Sequence, residues 1–299
     1  RLADIPGLQV IARGSSTPYK KSPKSPQQIA QELGVRYLLT GVVRWEKTAA
    51  GASIVHVSPE LVEVQGGSAP TSRWHDALDQ PLTNVFQVQA DIATRVAAAL
   101  GVALGDSVKQ RLAYRPTASL PAHDAFLRGE AATQGLGVSD PPSIRQGIAA
   151  YEQAVALDST YVEAWSRLAR ARATLYFLST PTPAGAEAAR QAAERALTLA
   201  PDRPEGHSAR AAYERFVTGN MPRAFSEDSV AVAMAPTDAS LLSDLGGPEM
   251  SLGRWDAART HLELAARLDP RSARAQRALG LLLGATRDYP EARAALDRG

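Results

Sequence analysis

Leu242-Ser243-Asp244-Leu245-Gly246, then Ala258-Arg259-Thr260-His261-Leu262, then Asp269-Pro270, is the stretch that decides the fold of this chain. It recurs. Ala200-Pro201, Ala235-Pro236 and Asp269-Pro270 stand 35 and 34 residues apart, each closing an Ala/Leu-rich segment. A fixed period of this length marks helix pairs stacked side by side. The next copy reads Gln276-x-x-Leu279-Gly280-x-x-Leu283, Asp288-Tyr289 and Ala292-x-x-x-Leu296, and stops before its closing proline. Weaker copies precede: His207-x-x-Arg210-Ala211 with Ala224-x-x-x-Asp228, and Trp165-x-x-Leu168-Ala169 with Ala189-x-x-x-Ala193. The first copy closes at Ser159, 42 residues before Pro201, and the loop from Ser179 to Ala186 supplies the surplus of eight.

The spacing predicts four repeats and a truncated fifth, all helical, over residues 116–299. Small residues at Ala169, Ala211, Gly246 and Gly280 fit where two helices cross, and apolar residues three and four apart give each helix one buried stripe. A single pair cannot bury its stripe alone, so neighbours stack and leave a groove lined by the first helix of each pair. Period, small positions and closing prolines together resemble the tetratricopeptide repeat (TPR) family, with leucine in the tryptophan position. The resemblance implies a right-handed array that binds proteins. Because the last copy is cut short, Leu279, Leu282, Leu283 and Leu296 are expected to be partly exposed.

Residues 1–115 read differently. All five lysines fall before residue 110, and this part carries 13 basic and 9 acidic side chains against 20 and 22 in the rest. Leu8–Ala12 reads as a short strand. Ser25-Pro26-Gln27-Gln28 opens a helix with a serine cap and proline in the first turn, and Gly34 closes it in the left-handed region. Val35–Lys47 and Ala52–Val64 read as a hairpin joined across Thr48-Ala49-Ala50-Gly51, with Pro59 on an edge or at a bulge. A third strand is expected through Pro70–Trp74. Val85, Val88, Ile92, Val96 and Leu100 give one long amphipathic helix over Leu82–Leu104. The fold class expected is α+β, a small α/β domain at 1–115 followed by an all-α solenoid.

Ile5-Pro6-Gly7-Leu8-Gln9-Val10-Ile11-Ala12-Arg13, Ile29–Arg44, Trp74 and Val85–Ala93 resemble the TolB amino-terminal-like domain. That domain, followed by TPRs, occurs in the carboxy-terminal half of bacterial serine/threonine kinases and of cyclase-type or winged-helix regulators. The resemblance implies an extracytoplasmic location, a strand and helix ahead of Arg1, and any kinase or cyclase part outside these residues. Ser58-Pro59-Glu60-Leu61 departs from a strand that the family keeps free of proline.

Chemistry is sparse. The chain has no cysteine, no Gly-x-Ser-x-Gly elbow and no phosphate loop followed by lysine; Gly135-Leu136-Gly137 lacks a preceding strand. The histidines His56, His75, His123, His207 and His261 are scattered, and His207 and His261 read as packed or surface residues. No catalytic residue, metal or cofactor is assigned. A net charge of +2 does not call for nucleic acid, and no apolar run is long enough to span a membrane. The candidate site is the groove, where Arg167, Arg170, Arg215, Asp244, Arg274 and Arg277 are expected to face inward and to take an acidic or carboxylate-bearing segment of a protein partner. Being exposed, these arginines are expected to add little stability. The reading is a non-catalytic interaction scaffold of a signalling protein; the alternative is an accessory subunit docked on a larger, membrane-associated complex.

Overall fold

The computed structural model describes residues 1–5, 7–20, 22–47, 53–64, 69–81, 85–134, 140–179 and 181–298. Mixed α and β structure divides into two compact units, Arg1–Arg115 and Pro116–Gly299. Thr48–Gly51, Gly135–Gly137 and part of Leu82–Leu104 lie outside the described residues.

In the first unit, α1 (Arg13–Ser16) and α2 (Pro26–Leu33) precede β1 (Tyr37–Lys47), β2 (Ser53–Glu63), β3 (Thr71–His75) and β4 (Leu78–Pro81), and α3 (Val85–Ala99) and α4 (Asp106–Ala113) follow. The start of α2 is a full capping box: Gln28 N donates to Ser25 Oγ at 3.3 Å and Ser25 N donates to Gln28 Oε1 at 2.9 Å. Gly34 ends it at φ +66°, a conformation that costs glycine no Cβ clash.

Antiparallel β1 and β2 pair from Tyr37 opposite Glu63 to Lys47 opposite Ser53. The other side of β2 is shared, with Ile54–Val57 on β4 and Glu60–Glu63 on β3. Pro59 is therefore neither on an edge strand nor at the bulge, which falls at Leu61/Val62. It stands in the gap between β3 and β4, where no ladder bond needs the N–H that proline lacks; its carbonyl accepts from Asp76 N at 3.2 Å.

Leu8–Ala12 forms no strand. Leu8 instead packs, with Leu2, against buried Ile5, Ala90, Ala93, Ala97, Val108 and Leu112. Burial beside α3 and α4 gives an apolar side chain what a ladder would otherwise supply. The helix α3 buries a second stripe, Phe86, Ala90, Ala93 and Ala97, beside the expected Val88 and Val96, and stops before Gly101 at φ +69°.

The second unit contains ten helices and no strand among its described residues. They are α5 (Leu120–Gln134), α6 (Pro141–Leu157), α7 (Val162–Leu178), α8 (Pro183–Leu199), α9 (Pro204–Tyr213), α10 (Met221–Met234), α11 (Ala239–Ser251), α12 (Trp255–Leu268), α13 (Ala273–Ala285) and α14 (Tyr289–Arg298). Each odd-numbered helix packs on the even-numbered one after it, and each pair on the next. Capping residues open several of them: Asp140, Thr182, Asn220, Asp238 and Ser272 each accept a backbone N–H of the first turn.

Crossing points explain the small residues. A Cβ on Gly246 would lie 2.6 Å from Leu262 Cδ2, and one on Gly280 would lie 2.7 Å from Leu296 Cγ. Ala169 and Ala211 are fully buried. The expectation for the last pair is corrected: Leu279, Leu282 and Leu283 are only 6%, 0% and 5% exposed, and of the four leucines Leu296 alone is open, at 48%. The cause is α14, whose Ala292 and Ala295 close the same cluster as Ala258 and Leu262, so ten helical residues suffice to bury one face of α13, while Leu281 on it stays 59% exposed.

Candidate functional site

The first helices of the pairs carry the candidate residues, drawn from four different repeats. Arg167 and Arg170 lie three apart on α7, so they share a face; Arg274 and Arg277 do the same on α13. Asp244 belongs to α11, and Pro248, four residues on, has no N–H to offer its carbonyl.

Arg215 lies in a π-helical turn, Glu214–Thr218, continuing α9. That turn has a sequence trace: Ala224 stands thirteen positions after Ala211, whereas Ala258 stands twelve after Gly246. The extra residue is what a π-turn accommodates.

Four of the six candidates come together. The Asp244 carboxylate pairs with Arg170 through Oδ2 and with Arg274 and Arg215 through Oδ1, the last at 3.1 Å. Arg170 also donates to Ser208 Oγ of α9 at 3.3 Å, and Arg215 pairs with Asp228 of α10. Arg167 stands beside this group with its own partner, Glu130 of α5 at 3.0 Å, whose Oε1 also accepts from the Tyr151 hydroxyl at 2.7 Å. Arg277 is exposed and makes no ion pair among the described residues.

The link from α7 to α11 passes over α9. These two first helices stand two repeats apart, and the Arg170 guanidinium still reaches the Asp244 carboxylate.

Burial corrects the expectation of exposed arginines. Arg170 and Arg215 are only 18% and 11% exposed, and Asp244 only 3%. They are packed among the helices of successive repeats, where little of any of these side chains meets water. Burial, with repulsion from Arg167 and Arg215, pushes the Arg170 guanidinium down to about 10, still protonated at neutral pH. The attraction of Glu130 holds Arg167 above its ordinary value. Burial raises the Asp228 carboxyl above its ordinary value, Arg215 and Arg170 opposing the shift.

Sequence reading missed Asp228 as part of the site, although it replaces the leucine of the repeat pattern. It also missed a cross-strand group in the first unit: His56, opposite Arg44 on β1 and Asp79 on β4, meets Asp79 at 2.8 Å and Glu46 at 3.2 Å, which raises its pKa. The hairpin register carried that signal. His207 and His261 pair with Glu227 and Glu249 at 2.7 and 3.0 Å. No cluster among the described residues could hold a metal ion, and no helix among them is long and apolar enough to cross a membrane.

No family model matches the chain. It is 30% identical over 131 residues to "Putative adenylate cyclase 3" of Rhizobium meliloti (strain 1021), a match covering 44% of this chain and 21% of that protein. The chain thus matches about a fifth of that relative's length. Among solved structures it is similar to TTC0263, a thermophilic TPR protein of Thermus thermophilus, at 20% identity and TM-score 0.46, covering 58% of this chain and 87% of the other. PilF of Pseudomonas aeruginosa, at 18% and 0.40, covers 59% and 76%; MamA of Desulfovibrio magneticus RS-1, at 16% and 0.38, covers 60% and 93%. The repeat period and the helix contacts of this chain itself make its second unit a stack of helix pairs, with a buried arginine–carboxylate network among its first helices.

Proposed function

We propose that this chain is a non-catalytic interaction region of a larger bacterial signalling protein, whose helical array binds an acidic segment of a protein partner on the face of its first helices. The observation that carries the reading is the set of arginines on that face, of which Arg167, 40% exposed, and Arg277 meet solvent. Guanidinium forks recognise carboxylates bidentately, which suits these side chains to an acidic segment. The partial match to a cyclase-named protein of much greater length supports a region of a signalling protein. On this reading Arg1–Arg115 is a TolB-like domain and the array works on the extracytoplasmic side.

The test is fluorescence anisotropy with a labelled glutamate-rich peptide. Arg167→Glu with Arg277→Glu weakens binding by about tenfold or more, on the order of what one charged contact contributes, and added salt weakens it further. Arg190→Glu with Arg259→Glu is the control, on second-helix residues paired away from the candidate site: Arg190 with Glu187 and Glu194 of α8, Arg259 with Glu263 of α12 and with Asp288. Equal loss in both pairs of variants, or no binding by the parent chain, refutes the reading.

A further inference from the structure

Three guanidinium groups, from α7, the π-turn after α9 and α13, converge on the single carboxylate of Asp244. Their supply of donors exceeds what one carboxylate accepts: each guanidinium has five N–H groups, a carboxylate about four lone-pair sites. Asp228 takes part of the excess from Arg215, while Arg215 Nε is buried with no acceptor and Asp228 Oδ1 is buried with no donor. The three cations come from three different repeats and the anion from a fourth, so the arrangement belongs to the stack and would persist if the carboxylate came from elsewhere.

We propose that Arg170, Arg215 and Arg274 form a carboxylate receptor, occupied in the free chain by Asp244, and that an aspartate or glutamate of an acidic partner segment takes Asp244's place there. The proposal deepens the reading given above and rests on it for the partner, while the receptor itself stands on the geometry. Exchange replaces one carboxylate by another against the same donors, so its cost is set by freeing Asp244 rather than by building a site. An internal occupant lowers the apparent affinity for an external one by the fraction of time it holds the site. Around the receptor, Glu130 with Arg167 and Asp228 with Arg215 are already paired, and Asp238 adds a further negative charge felt by Arg167 and Arg170. The surroundings are thus close to neutral. Recognition of a ligand there rests on the converging guanidinium donors, not on bulk charge.

The experiment removes the resident carboxylate from the full chain and offers another. Asp244→Ala loses thermal stability, and sodium acetate restores a large part of the lost melting temperature relative to sodium chloride at equal ionic strength. The parent chain shows no such preference, and Asp244→Ala with Arg274→Gln shows a reduced one. If Asp244→Ala does not fold, the near-isosteric Asp244→Asn keeps the test open: it binds the glutamate-rich peptide about tenfold or more tightly than the parent, the gain expected when an occupant holding the site about nine-tenths of the time is removed. Acetate no better than chloride, or a folded Asp244→Asn with no gain, overturns the receptor even if Arg167 and Arg277 still bind peptide. Rescue by acetate with no peptide binding by any variant supports the receptor and retires the acidic-segment reading instead.

Discussion

The third and fourth helix pairs are built on the same plan and filled with opposite materials. In the fourth, Leu262 of α12 is fully buried against Gly246 of α11. In the third, the same place in the pattern holds Asp228 of α10, 1% exposed, and its partner is Arg215 in the π-turn. An apolar side chain needs only a complementary hole within its own pair. A buried carboxylate needs a cation brought to it, and here Arg215 goes on to Asp244 in the next pair, tying the third repeat to its neighbours. The ionic pair therefore contributes register between repeats, where the leucine contributes area within one.

The largest test of that contrast deletes each side chain. Asp228→Ala should cost about 3–5 kcal/mol, because Arg215 keeps its charge in a buried place with one partner fewer. Leu262→Ala should cost about 2–5 kcal/mol through lost burial and the cavity left behind. Denaturant titration of the full chain gives the totals, and amide exchange should show the first variant loosening α9 to α11 together, the second mainly α11 and α12. Loosening confined to one pair in both would remove the contrast.

Backbone approach gives a smaller effect. Gly246→Ala should destabilise the fourth pair by about 1–3 kcal/mol, since its Cβ would meet Leu262 at 2.6 Å. The third pair already carries alanine at Ala211, opposite the shorter Asp228, so Ala211→Gly there should cost only about 0.5–1 kcal/mol.

Replacing both ends of the ion pair sharpens the point. Asp228→Leu with Arg215→Met should be far less damaging than Asp228→Ala, near neutral in chemical denaturation, because no uncompensated charge is left buried. If the double variant is as unstable as the single one, the pair's value lies in its packing rather than in its compensation.

Acid titration carries the comparison to smaller energies. An acid whose folded pKa lies above its unfolded value binds more protons when folded, so its contribution to stability falls as pH rises from about 3.8 through the raised value. Asp228→Asn should flatten that fall in thermal melts across the same window, and Leu262 variants should leave it unchanged. Arg277→Glu, at an exposed position, should shift stability by no more than about 0.5 kcal/mol.

The array was legible in the sequence to the level of single glycines, because every helix pair solves the same packing problem and repeats its answer at a fixed period. The candidate arginines were legible as residues sharing a face, since that follows from helical spacing. Their partners were not. Arg170 and Asp244 are 74 positions apart, and only the stacking of the repeats makes them neighbours. In the first unit, capping at Ser25 and the left-handed Gly34 followed from local rules, whereas Leu8–Ala12 reads as a strand by composition and is used as packing. The fate of Pro59 likewise depended on two separate strands sharing one side of β2.

Periodicity, caps and small crossing residues are local or nearest-neighbour properties, set by backbone hydrogen bonding and by contacts within one repeat, and the sequence alone determined them. The burial and pairing of the arginines on the first helices were decided only by the tertiary structure. A guanidinium three residues from another is solvated or buried according to which side chains the helices of other repeats bring to it. That placement depends on how successive pairs stack, which is written in no single stretch of residues.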